Sequence, residues 1–530
     1  MHSLTEGEKC GLEIELKFEL SGSDVRALCR APALKAMMVA PARTKTLRAT
    51  YFDTPDSLLA ARELSLRVRK ESRRYVQCLK AMAPSAEGEN VTGFARLEWE
   101  WPLPGPCLDF SHLRNNADIM ALLEGIELSQ LGAVYSTDIK RQSRELRTPG
   151  GALIQCEIDQ GRVLAGTHEA PLEAPVYELE LELASGDEGE LLATAELIAS
   201  LVPARLSART KAQRGQTLAG GQGHEWVKAQ MPKLAKGATA EEVLRTSVMS
   251  GLKQLMANED CVLTRCHIEG VHQMRVALRR VRSVITTYKK LLPKGSFEHL
   301  SQGLKEAGFA LGAARDWDVF LDEVLTNVER GFDKDPALAV MRRYAVGKQE
   351  QAYCDVDDLI HSQDYAKLLT QTLVWVASSP WRRGEPNGKG TDALQIPATK
   401  VAQHILTKRH AHVLKAGKGL KNLSIEQRHM LRITLKKARY AAEFFAELYS
   451  PKKALPYLKA LKSLQESLGH LNDLATAERL MGALIADGGD VAALHRAAGM
   501  VEGWFMHAQS RREKDLLKGW KAFRAAKTFW

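Results

Sequence analysis

The chain of 530 residues has a formal net charge of +10, with 45% hydrophobic and 26% charged residues. This composition is ordinary for a soluble globular protein with room for two or more domains, and it excludes a disordered or low-complexity chain. Residues 1–220 contain 26 Lys and Arg against 31 Asp and Glu, a net charge of −5, whereas residues 221–530 carry +15. We therefore expect two domains with different tasks, of which the second attracts polyanions.

The eight cysteines form no C-x-x-C pair, so neither a redox motif nor a zinc site is indicated. We interpret Cys261, Cys266 and His267 as a buried or incidental cluster. The amino terminus is polar and carries Glu6 and Glu8, unlike a signal peptide, and no apolar run approaches the roughly 18 residues of a membrane span. We expect a cytoplasmic protein that does not enter a membrane.

The first 215 residues have the hydrophobic period of β-strands. Residues 11–19 alternate strictly between apolar and charged side chains, which indicates a strand. Further strand-like runs are separated by turn-rich stretches and lie at 63–70, 74–81, 94–103, 136–147, 152–158 and 176–183. Helices are predicted near 22–39, 115–130 and 186–201. The pattern predicts an all-β barrel or sandwich.

The polar faces of these strands carry charges at alternate positions, such as Glu13, Glu15 and Lys17 in the first strand and Arg67 and Arg69 in a later one. Side chains at i and i+2 of a strand project from the same face. Solvated outer faces with screened ion pairs would explain the pattern. A barrel with its charged faces turned inward would also explain it, provided that a charged ligand neutralises the interior.

The order of these elements resembles the CYTH domain of the triphosphate tunnel metalloenzymes. Glu13-Ile14-Glu15-Leu16-Lys17 matches the E-x-E-x-K opening strand, which is a weak signal alone. The remaining elements follow in family order over about residues 8–217: Tyr51-Phe52-Asp53-Thr54, Leu66-Arg67-Val68-Arg69, Lys80, Arg96-x-Glu98-x-Glu100, Arg141, the Glu178–Glu182 strand and Lys211-Ala212-x-Arg214-Gly215. The resemblance implies an eight-stranded antiparallel tunnel that hydrolyses a triphosphate with Mg²⁺ or Mn²⁺.

The resemblance also implies roles for the charged residues. The implied metal ligands are carboxylates, which suit hard divalent ions: Glu13, Glu15, Glu178 and Glu180. The implied catalytic set is Glu13, Glu15 and Lys17. The implied triphosphate ligands are Arg67, Arg69, Lys80, Arg96, Arg141, Lys211 and Arg214. Glu182 stays open as a further metal ligand, Glu98 and Glu100 as metal ligands or as partners of arginines, and Lys17 as a structural ion pair.

A glycine-rich segment at residues 220–223 is the linker candidate, and the sequence has the period of helices from there to its end. The predicted boundaries are 1–218 for the first domain, 219–234 for the linker and 235–530 for the second domain. A stretch rich in Pro and Gly at 379–397 divides the second domain into halves of about 235–378 and 398–530.

The helical region contains one basic pattern twice, 157 residues apart. The copies are His272-x-x-Arg275-x-x-x-Arg279-Arg280-x-Arg282 and His429-x-x-Arg432-x-x-x-Lys436-Lys437-x-Arg439. A second element begins 39 residues after each histidine: Leu311-Gly312-x-x-Arg315-Asp316 and Leu468-Gly469-x-x-Asn472-Asp473. Equal spacing in diverged copies indicates a duplicated structural unit. Helical geometry gathers the cations on one face, which favours anion binding over an ordinary solvated face.

These motifs resemble the CHAD domain, the conserved-histidine α-helical domain, over about residues 235–530. The resemblance implies a pseudo-twofold helical bundle that binds inorganic polyphosphate through His272, Arg275, Arg279, Arg282, His429, Arg432, Lys436 and Arg439. The second copy departs from the pattern with Lys436 and Lys437, since lysine is a point charge without the planar fork of arginine. Helix packing remains an open alternative for both histidines.

A CYTH domain followed by a CHAD domain resembles the bacterial inorganic triphosphatases. The implied protein is an α+β multidomain enzyme that hydrolyses inorganic triphosphate to pyrophosphate and phosphate and binds polyphosphate, with polyphosphate granules as a further place of residence. Thiamine-triphosphatase, class IV adenylyl cyclase and a non-catalytic polyphosphate-binding protein are the alternatives. Nucleic-acid binding is not expected, because aromatic residues make up 6% of the chain and do not interleave with the basic stripe.

Overall fold

The computed structural model describes residues 9–82, 95–166, 169–220, 225–230, 234–235, 237–333, 335–383 and 394–530. It describes only the backbone of residues 9–13, 82, 95–96, 383, 425, 470–473 and 508–512. The chain forms two compact units, residues 1–225 with 360–378 and residues 226–359 with 379–530. The division differs from the predicted continuous second domain, because segment 360–378 groups with the first unit. The predicted linker at 220–223 lies largely outside the described residues.

The described part of the first unit contains nine strands. They are β1 (Lys9–Glu19), β2 (Arg43–Asp53), β3 (Ser65–Glu71), β4 (Arg74–Met82), β5 (Ala95–Leu103), β6 (Gly132–Arg147), β7 (Leu153–Gly166), β8 (Pro171–Ser185) and β9 (Arg205–Ser207). Its helices are α1 (Gly22–Arg30), α2 (Pro32–Met37), α3 (Leu58–Ala61), α4 (Phe110–Arg114), α5 (Ala117–Leu122), α6 (Glu188–Leu201), α7 (Lys211–Ala219) and α13 (Gln363–Ser378).

Eight of these strands pair in a circuit that returns to its start. The order is β5-β4-β3-β2-β6-β7-β8-β1, and β1 pairs in addition with β5. Residues 9–14 of β1 pair with β5, whereas residues 15–19 pair with β8, both antiparallel. The short β9 adds to β1 through residues 205–207. The fold is the antiparallel eight-stranded tunnel that the sequence predicted, with one strand more.

Apolar side chains cover the outer face of the tunnel. Leu66, Leu79 and Trp99 of β3, β4 and β5 form one buried cluster with Leu113 and Ile119 of α4 and α5. Val176, Leu179 and Leu181 of β8 are fully buried, and α6 packs against this strand. Because side chains alternate along a strand, the charged residues between these apolar ones point to the interior.

One observed strand was not predicted, and one predicted helix is divided. The missed strand is β2, whose first four residues are exposed, so that the buried apolar side chains Leu47, Ala49 and Tyr51 alternate only in its second part. The single helix predicted near 22–39 is two helices. Ala31 precedes Pro32 with an extended ψ of 120°, which ends α1 and starts α2 with proline at its first position.

The described part of the second unit is helical. Its helices are α8 (Ala240–Leu263), α9 (Glu269–Tyr288), α10 (Glu298–Val319), α11 (Thr326–Gly331), α12 (Pro336–His361), α14 (Ala398–Ala416), α15 (Ile425–Phe445), α16 (Pro451–Ala486) and α17 (Val491–Ala525). No helix in the described ranges has an apolar stretch long enough to cross a membrane.

The two predicted repeats have the same helical arrangement. In the first repeat α9 packs between α8 and α10, and in the second repeat α15 packs between α14 and α16. The basic patterns lie on α9 and α15, and the two Leu-Gly elements lie on the following helices, α10 and α16. The repeats meet where α9 contacts α15 and α8 contacts α14. The predicted pseudo-twofold helical bundle is confirmed at the level of helix order and packing.

Candidate functional site

The opening strand places two predicted residues in one ion-pair network. Lys17 Nζ lies 3.1 Å from Glu15 Oε1 and 3.1 Å from Glu180 Oε1 of the neighbouring β8. Only 7% of Glu15 is exposed. The pairing of β1 with β8 sets this contact, since Lys17 is opposite Glu180 in the register. The side chain of Glu13 lies outside the described residues, although its backbone is opposite that of Arg96.

A buried acidic cluster lies beside this network. Lys211 Nζ lies 2.8 Å from Asp159, 2.5 Å from Glu178 and 3.0 Å from Glu180. Arg141 lies 2.7 Å from Asp159 and 2.8 Å from Glu180. Burial alone would raise the pKa of Glu180, but Lys17 and Lys211 outweigh it and hold that pKa well below its usual value. The carboxylates of Asp159 and Glu180 are therefore kept ionised in a space almost closed to solvent.

The helix α7 brings two of the predicted cations into the tunnel. A capping box between Thr210 and Gln213 starts this helix. Arg214 lies 3.0 Å from Glu178 and 2.6 Å from Glu19. A side chain at Gly215 would overlap the ring of Tyr135 of β6, so the helix can approach the strands closely only with glycine at this position.

The other half of the tunnel carries the remaining described cations. Arg69 lies 3.1 Å from Glu100, Lys80 lies 3.1 Å from Glu98 and Arg67 lies 3.7 Å from Glu98. The strands β3 and β5 are separated by β4, so the contacts of Arg67 and Arg69 span a strand on the inner face, whereas Lys80 and Glu98 lie opposite each other on neighbouring strands. The side chain of Arg96, also predicted here, lies outside the described residues.

Electrostatic effects cross the tunnel from one wall to the other. Lys80 of β4 helps to lower the pKa of Glu180 and opposes the raised pKa of Glu182, although β4 and β8 are not neighbouring strands. The side chains of Lys17, Lys80, Glu98 and Glu180 are each no more than 18% exposed. The interpretation as solvated outer faces is therefore wrong for these residues.

Two further carboxylates of the tunnel, Glu182 and Glu157, have fewer cations near them. Burial raises the pKa of Glu182, and the nearby carboxylates of Glu157 and Glu15 raise it further. Burial also raises the pKa of Glu157, against the pull of Arg141. Negative charge therefore accumulates where β1, β7 and β8 meet, and a cation bound there would relieve it.

The carboxylates fit a hard divalent ion. Oxygens of Asp159, Glu178 and Glu180 lie within 4.8 Å of one another, close enough to share one ion. Carboxylate oxygen is the donor that Mg²⁺ and Mn²⁺ prefer. Cys78, Glu98 and Glu100 form a second group of this kind. The thiol makes this group less suited to Mg²⁺, and burial raises the pKa of Cys78 to about 12.

Two contributors to the site were not assigned by sequence reasoning. Asp159 is fully buried and contacts both Arg141 and Lys211, and its alternation with Glu157 along one strand was the signal that pointed to it. Glu19 forms ion pairs with Arg214 and Arg205. Its place two residues after Lys17 on the same face was the corresponding signal.

In the second unit, the basic faces of the repeats converge. Burial, together with the nearby guanidinium groups of Arg432 of α15 and Arg279 of α9, lowers the pKa of Lys436 to about 8. The guanidinium groups of Arg279 and Arg439 both lie over the ring of Tyr440, at 5.8 and 5.4 Å from its centroid. Cations that the sequence separates by 157 residues thus act on one another.

The two predicted histidines differ in their surroundings. His272 is partly buried, and its pKa is lowered by burial and by Arg315 and Arg279. His429 is exposed. In the corresponding second elements, Asp316 lies 3.4 Å from Arg275, whereas the side chains of Asn472 and Asp473 lie outside the described residues. The two copies of the motif therefore place their histidines in different environments, although the spacing of their residues is the same.

A cavity of about 540 Å³ opens beside α9 and α10 in this unit. Three of the predicted cations line it: Arg275, Arg279 and Arg282. Arg282 forms no ion pair with a carboxylate in the part of the chain that the structure describes. The cavity can therefore accept anionic groups.

Known proteins share both units. The family model of the CYTH domain matches residues 11–215, and that of the CHAD domain matches residues 247–482. An inorganic triphosphatase of Haemophilus influenzae is 30% identical over 172 residues, which are 32% of this chain and 45% of that protein. The match thus spans less than half of this relative.

Longer matches exist as well. Uncharacterized proteins from two strains of Mycobacterium tuberculosis are each 26% identical over 472 residues, which are 81% of this chain and 82% of theirs. The crystal structure of the CHAD domain from the plant Ricinus communis is 28% identical with a TM-score of 0.48, and the match covers 58% of this chain and 99% of that one. The two family models thus show that the chain contains a CYTH domain followed by a CHAD domain.

Proposed function

We propose that the first unit hydrolyses inorganic triphosphate to pyrophosphate and phosphate with Mg²⁺ or Mn²⁺, and that the second unit binds inorganic polyphosphate. The observation that carries the first half is the convergence of cations and carboxylates from opposite walls on the enclosed tunnel interior. Such an interior is costly unless a ligand of mixed charge, such as a metal triphosphate, takes up the charges.

In the ligand-free protein the charged groups neutralise one another, so binding is an exchange of partners. Arg67, Arg69 and Lys80 would leave Glu98 and Glu100 and bind phosphoryl oxygens, for which the planar guanidinium is well shaped. A triphosphate carries about four negative charges near neutral pH, and charge-assisted hydrogen bonds of this kind are the strong ones. The substrate thereby replaces carboxylates that were already in place.

The metal ligands that the resemblance implies are Glu13, Glu15, Glu178 and Glu180. Asp159 and Glu182 are further candidates, because Asp159 lies in the same carboxylate cluster and Glu182 lies on the same strand as Glu178 and Glu180. A bound divalent ion would polarise the phosphoryl oxygens and offset their developing charge. Lys17 would keep Glu15 and Glu180 in register, and Lys211 and Arg214 would hold the acidic cluster and reach the phosphate chain from α7.

Glu182 is the candidate base for the attacking water. Its raised pKa makes it a better proton acceptor than an ordinary carboxylate, and its environment is rich in negative charge. In-line attack by water on the terminal phosphorus needs no covalent intermediate with the protein. Arg96 and Arg141 would stabilise the charge on the transferred group.

A phosphate-release assay with three substrates tests the proposal. The protein is offered inorganic triphosphate, thiamine triphosphate and ATP, each with and without Mg²⁺ or Mn²⁺, and phosphate and cyclic AMP are measured. We expect metal-dependent release from inorganic triphosphate with the highest kcat/KM. Preferred turnover of thiamine triphosphate, or formation of cyclic AMP, would replace the proposal by the corresponding alternative.

Site variants separate the two activities. Glu13→Ala with Glu15→Ala should abolish metal-dependent hydrolysis and leave retention of polyphosphate intact, because the change removes carboxylates of the tunnel only. Glu173→Ala is the matched control, since this carboxylate of β8 forms an exposed ion pair with Arg162. Hydrolysis that survives the double change would contradict the site assignment.

The second half of the proposal rests on the cations of α9 and α15. Reversal of Arg275 and Arg432 to Glu should weaken polyphosphate binding more than His272→Ala with His429→Ala, because His272 is held toward its neutral form. Binding is measured at fixed salt, with single-stranded RNA as competitor. Equal losses in both double variants would contradict the ranking, and equal displacement by RNA would remove the polyphosphate assignment.

A further inference from the structure

The cavity beside α9 and α10 has a cationic side. The Nε atoms of Arg279 and Arg282 are buried, and no hydrogen-bond acceptor for them lies in the described part of the chain. The one carboxylate among the lining residues, Asp316, lies 3.4 Å from Arg275 and 2.8 Å from Arg479. Its charge is thus offset by two arginines, and the cavity keeps a positive balance that suits phosphate groups.

The opposite side of the same cavity is apolar. Half of its lining residues are Leu278, Leu304, Gly308, Phe309, Gly312 and Ala313. Five of these six lie along one face of α10. A side chain at Gly308 would meet nothing within 4 Å, so the helix presents an open floor beside Phe309. Glycine within a helix costs roughly 0.5–1 kcal/mol relative to alanine, and an open floor would explain this cost at Gly308. At Gly312 the guanidinium of Arg275 lies against the helix and donates a hydrogen bond to the carbonyl oxygen at 3.2 Å.

Phe309 is the most unusual member of this lining. Its side chain is 67% exposed, and the ammonium of Lys305 lies 5.7 Å from the ring centroid. Single exposed apolar side chains are common on proteins, so the position of Phe309 and not its exposure carries the argument. An aromatic face at the edge of a cationic cavity is an arrangement that stacks a base while the arginines hold phosphates.

We infer that this cavity binds a nucleoside polyphosphate, with the phosphate chain on Arg275, Arg279 and Arg282 and the base stacked on Phe309. The inference deepens the proposed binding of phosphate chains by the second unit and rests on it. A bare polyphosphate has no apolar surface and gains nothing from Phe309 or from the glycine floor. A volume of about 540 Å³ lies within the usual range of small-molecule sites.

Photolabelling of the full chain with 8-azido-ATP tests the inference. Trypsin cuts after Lys305 and Arg315, so a label on the cavity floor appears on the peptide 306–315, which contains Phe309. A label in the tunnel of the first unit appears on other peptides and does not confuse the result. We expect labelling of 306–315 that unlabelled ATP suppresses at about one-tenth of the concentration needed with inorganic triphosphate, since stacking strengthens binding by roughly that factor.

Three variants isolate the aromatic ring. Phe309→Leu should reduce labelling of 306–315 about tenfold, and Phe309→Tyr should retain it because the ring remains. Phe332→Leu makes the same change at an exposed phenylalanine of this unit that does not line the cavity, and it should leave labelling unchanged. Circular dichroism verifies that each variant is folded.

The outcomes separate this inference from the function on which it rests. Equal suppression by ATP and inorganic triphosphate, or unchanged labelling in Phe309→Leu, would overturn the nucleoside assignment even when long-chain polyphosphate is still retained. Stronger suppression by a short RNA oligonucleotide than by ATP would overturn it in favour of a nucleic-acid end. Loss of polyphosphate retention in the wild type would overturn the proposed function of the unit instead.

Discussion

Lys211 is placed at the centre of the acidic cluster, within 3.0 Å of three carboxylates from two neighbouring strands. An ammonium in this position balances charges that would otherwise repel one another in a space closed to water. Its own pKa is raised well above the usual value, because the attraction of Asp159 and Glu178 outweighs the effect of burial. The residue therefore has a structural role in the acidic cluster besides its proposed contact with substrate.

Replacement of this lysine should be costly and metal-sensitive. Lys211→Met leaves buried carboxylates without their main cation, and we expect a loss of about 3 kcal/mol in the free energy of unfolding. Saturating Mg²⁺ should restore part of it, because the ion can take over the charge balance. Urea denaturation with and without Mg²⁺ measures both effects. Arg48→Met, at an exposed ion pair with Asp138, is the control and should change stability little.

The raised pKa of Glu182 predicts that its effect on the free energy of unfolding changes with pH in the opposite direction to that of an ordinary carboxylate in an ion pair. Its pKa in the folded protein is raised above 4.5, so the folded state holds this proton more tightly than the unfolded state does. Its contribution to stability is therefore present at low pH and is lost as pH rises from about 4.5 through the raised pKa.

Glu182→Gln should remove this loss. We expect the variant to gain stability relative to the wild type over that pH range, with no further gain above it. Urea denaturation at a series of pH values gives the difference. A difference that does not depend on pH would show that the carboxyl group of Glu182 titrates normally.

For single residues, the sequence could predict which side chains share a face of a strand. It could not predict which of these side chains form ion pairs with one another. Charges at i and i+2 placed Lys17, Lys80 and Arg141 on the inner faces of their strands, because parity follows from strand geometry alone. The joint contact of Lys211 with Asp159 depends on the register between β7 and β8 and on the position of α7. Register is a property of paired strands, so the sequence of one strand cannot give it.

The helices α9 and α15 act as a pair. Their contact brings the two basic patterns together, and burial with the close approach of like charges gives Lys436 a pKa of about 8. From the sequence, this lysine was predicted as a point charge that attracts phosphate. The structure makes it a group that loses its proton in mildly alkaline solution, which the pattern of a single helix could not reveal.

Polyphosphate binding should therefore weaken as pH rises above about 8. A bound polyanion favours the protonated amine, so deprotonation of Lys436 has to be reversed when the ligand binds. Lys436→Arg should flatten the dependence, since arginine stays charged. Lys437→Arg, at the exposed neighbouring position, is the matched control and should behave as the wild type. The measurement is the polyphosphate affinity of each variant between pH 7 and 10 at constant ionic strength. A wild-type affinity that does not change over this range would contradict the prediction.

The elements were predicted unevenly for a physical reason. Strands with a strict alternation, such as β1 and β5, were predicted near their observed ends. In β2 the first four residues are exposed and polar, so the period-2 signal is confined to its second half. The basic helices were predicted well because a charged face opposite an apolar one is a local signal. The cavity between α9 and α10 was not predicted, because it depends on how two helices pack.

At the scale of the whole molecule, α13 belongs to the first unit although it is encoded within the helical half. It packs against α6 and β9, and Gln363 Nε2 donates hydrogen bonds to the carbonyl oxygens of Ala199 and Ser200 at 3.3 and 2.6 Å. Leu369, Leu373 and Val376 of this helix are fully buried. The predicted boundary at 218 therefore does not separate everything that the first unit needs.

A fragment of residues 1–225 should accordingly be less stable than the complete unit. Each large apolar side chain that α13 buries contributes about 1.5–3 kcal/mol, so we expect the fragment to gain at least ~2 kcal/mol when a peptide of residues 360–378 is added. Urea denaturation of the fragment with and without the peptide measures the gain. A peptide with Leu369→Asp is the control, and equal behaviour of both peptides would contradict the role of α13.

Because α13 lies far along the chain from the rest of the first unit, this unit can complete its folding only late in protein synthesis. A ribosome delivers the chain from its amino terminus, so all nine described strands emerge long before residue 378 does. Until then α6 and β9 have no partner at the surface that α13 will cover. The apolar surface of the first unit that α13 covers therefore stays exposed to solvent while the ribosome synthesises about 135 residues of the second unit. A chaperone that shields this surface on the nascent chain, or a pause in translation near α13, would affect the yield of the tunnel and leave its mature stability unchanged.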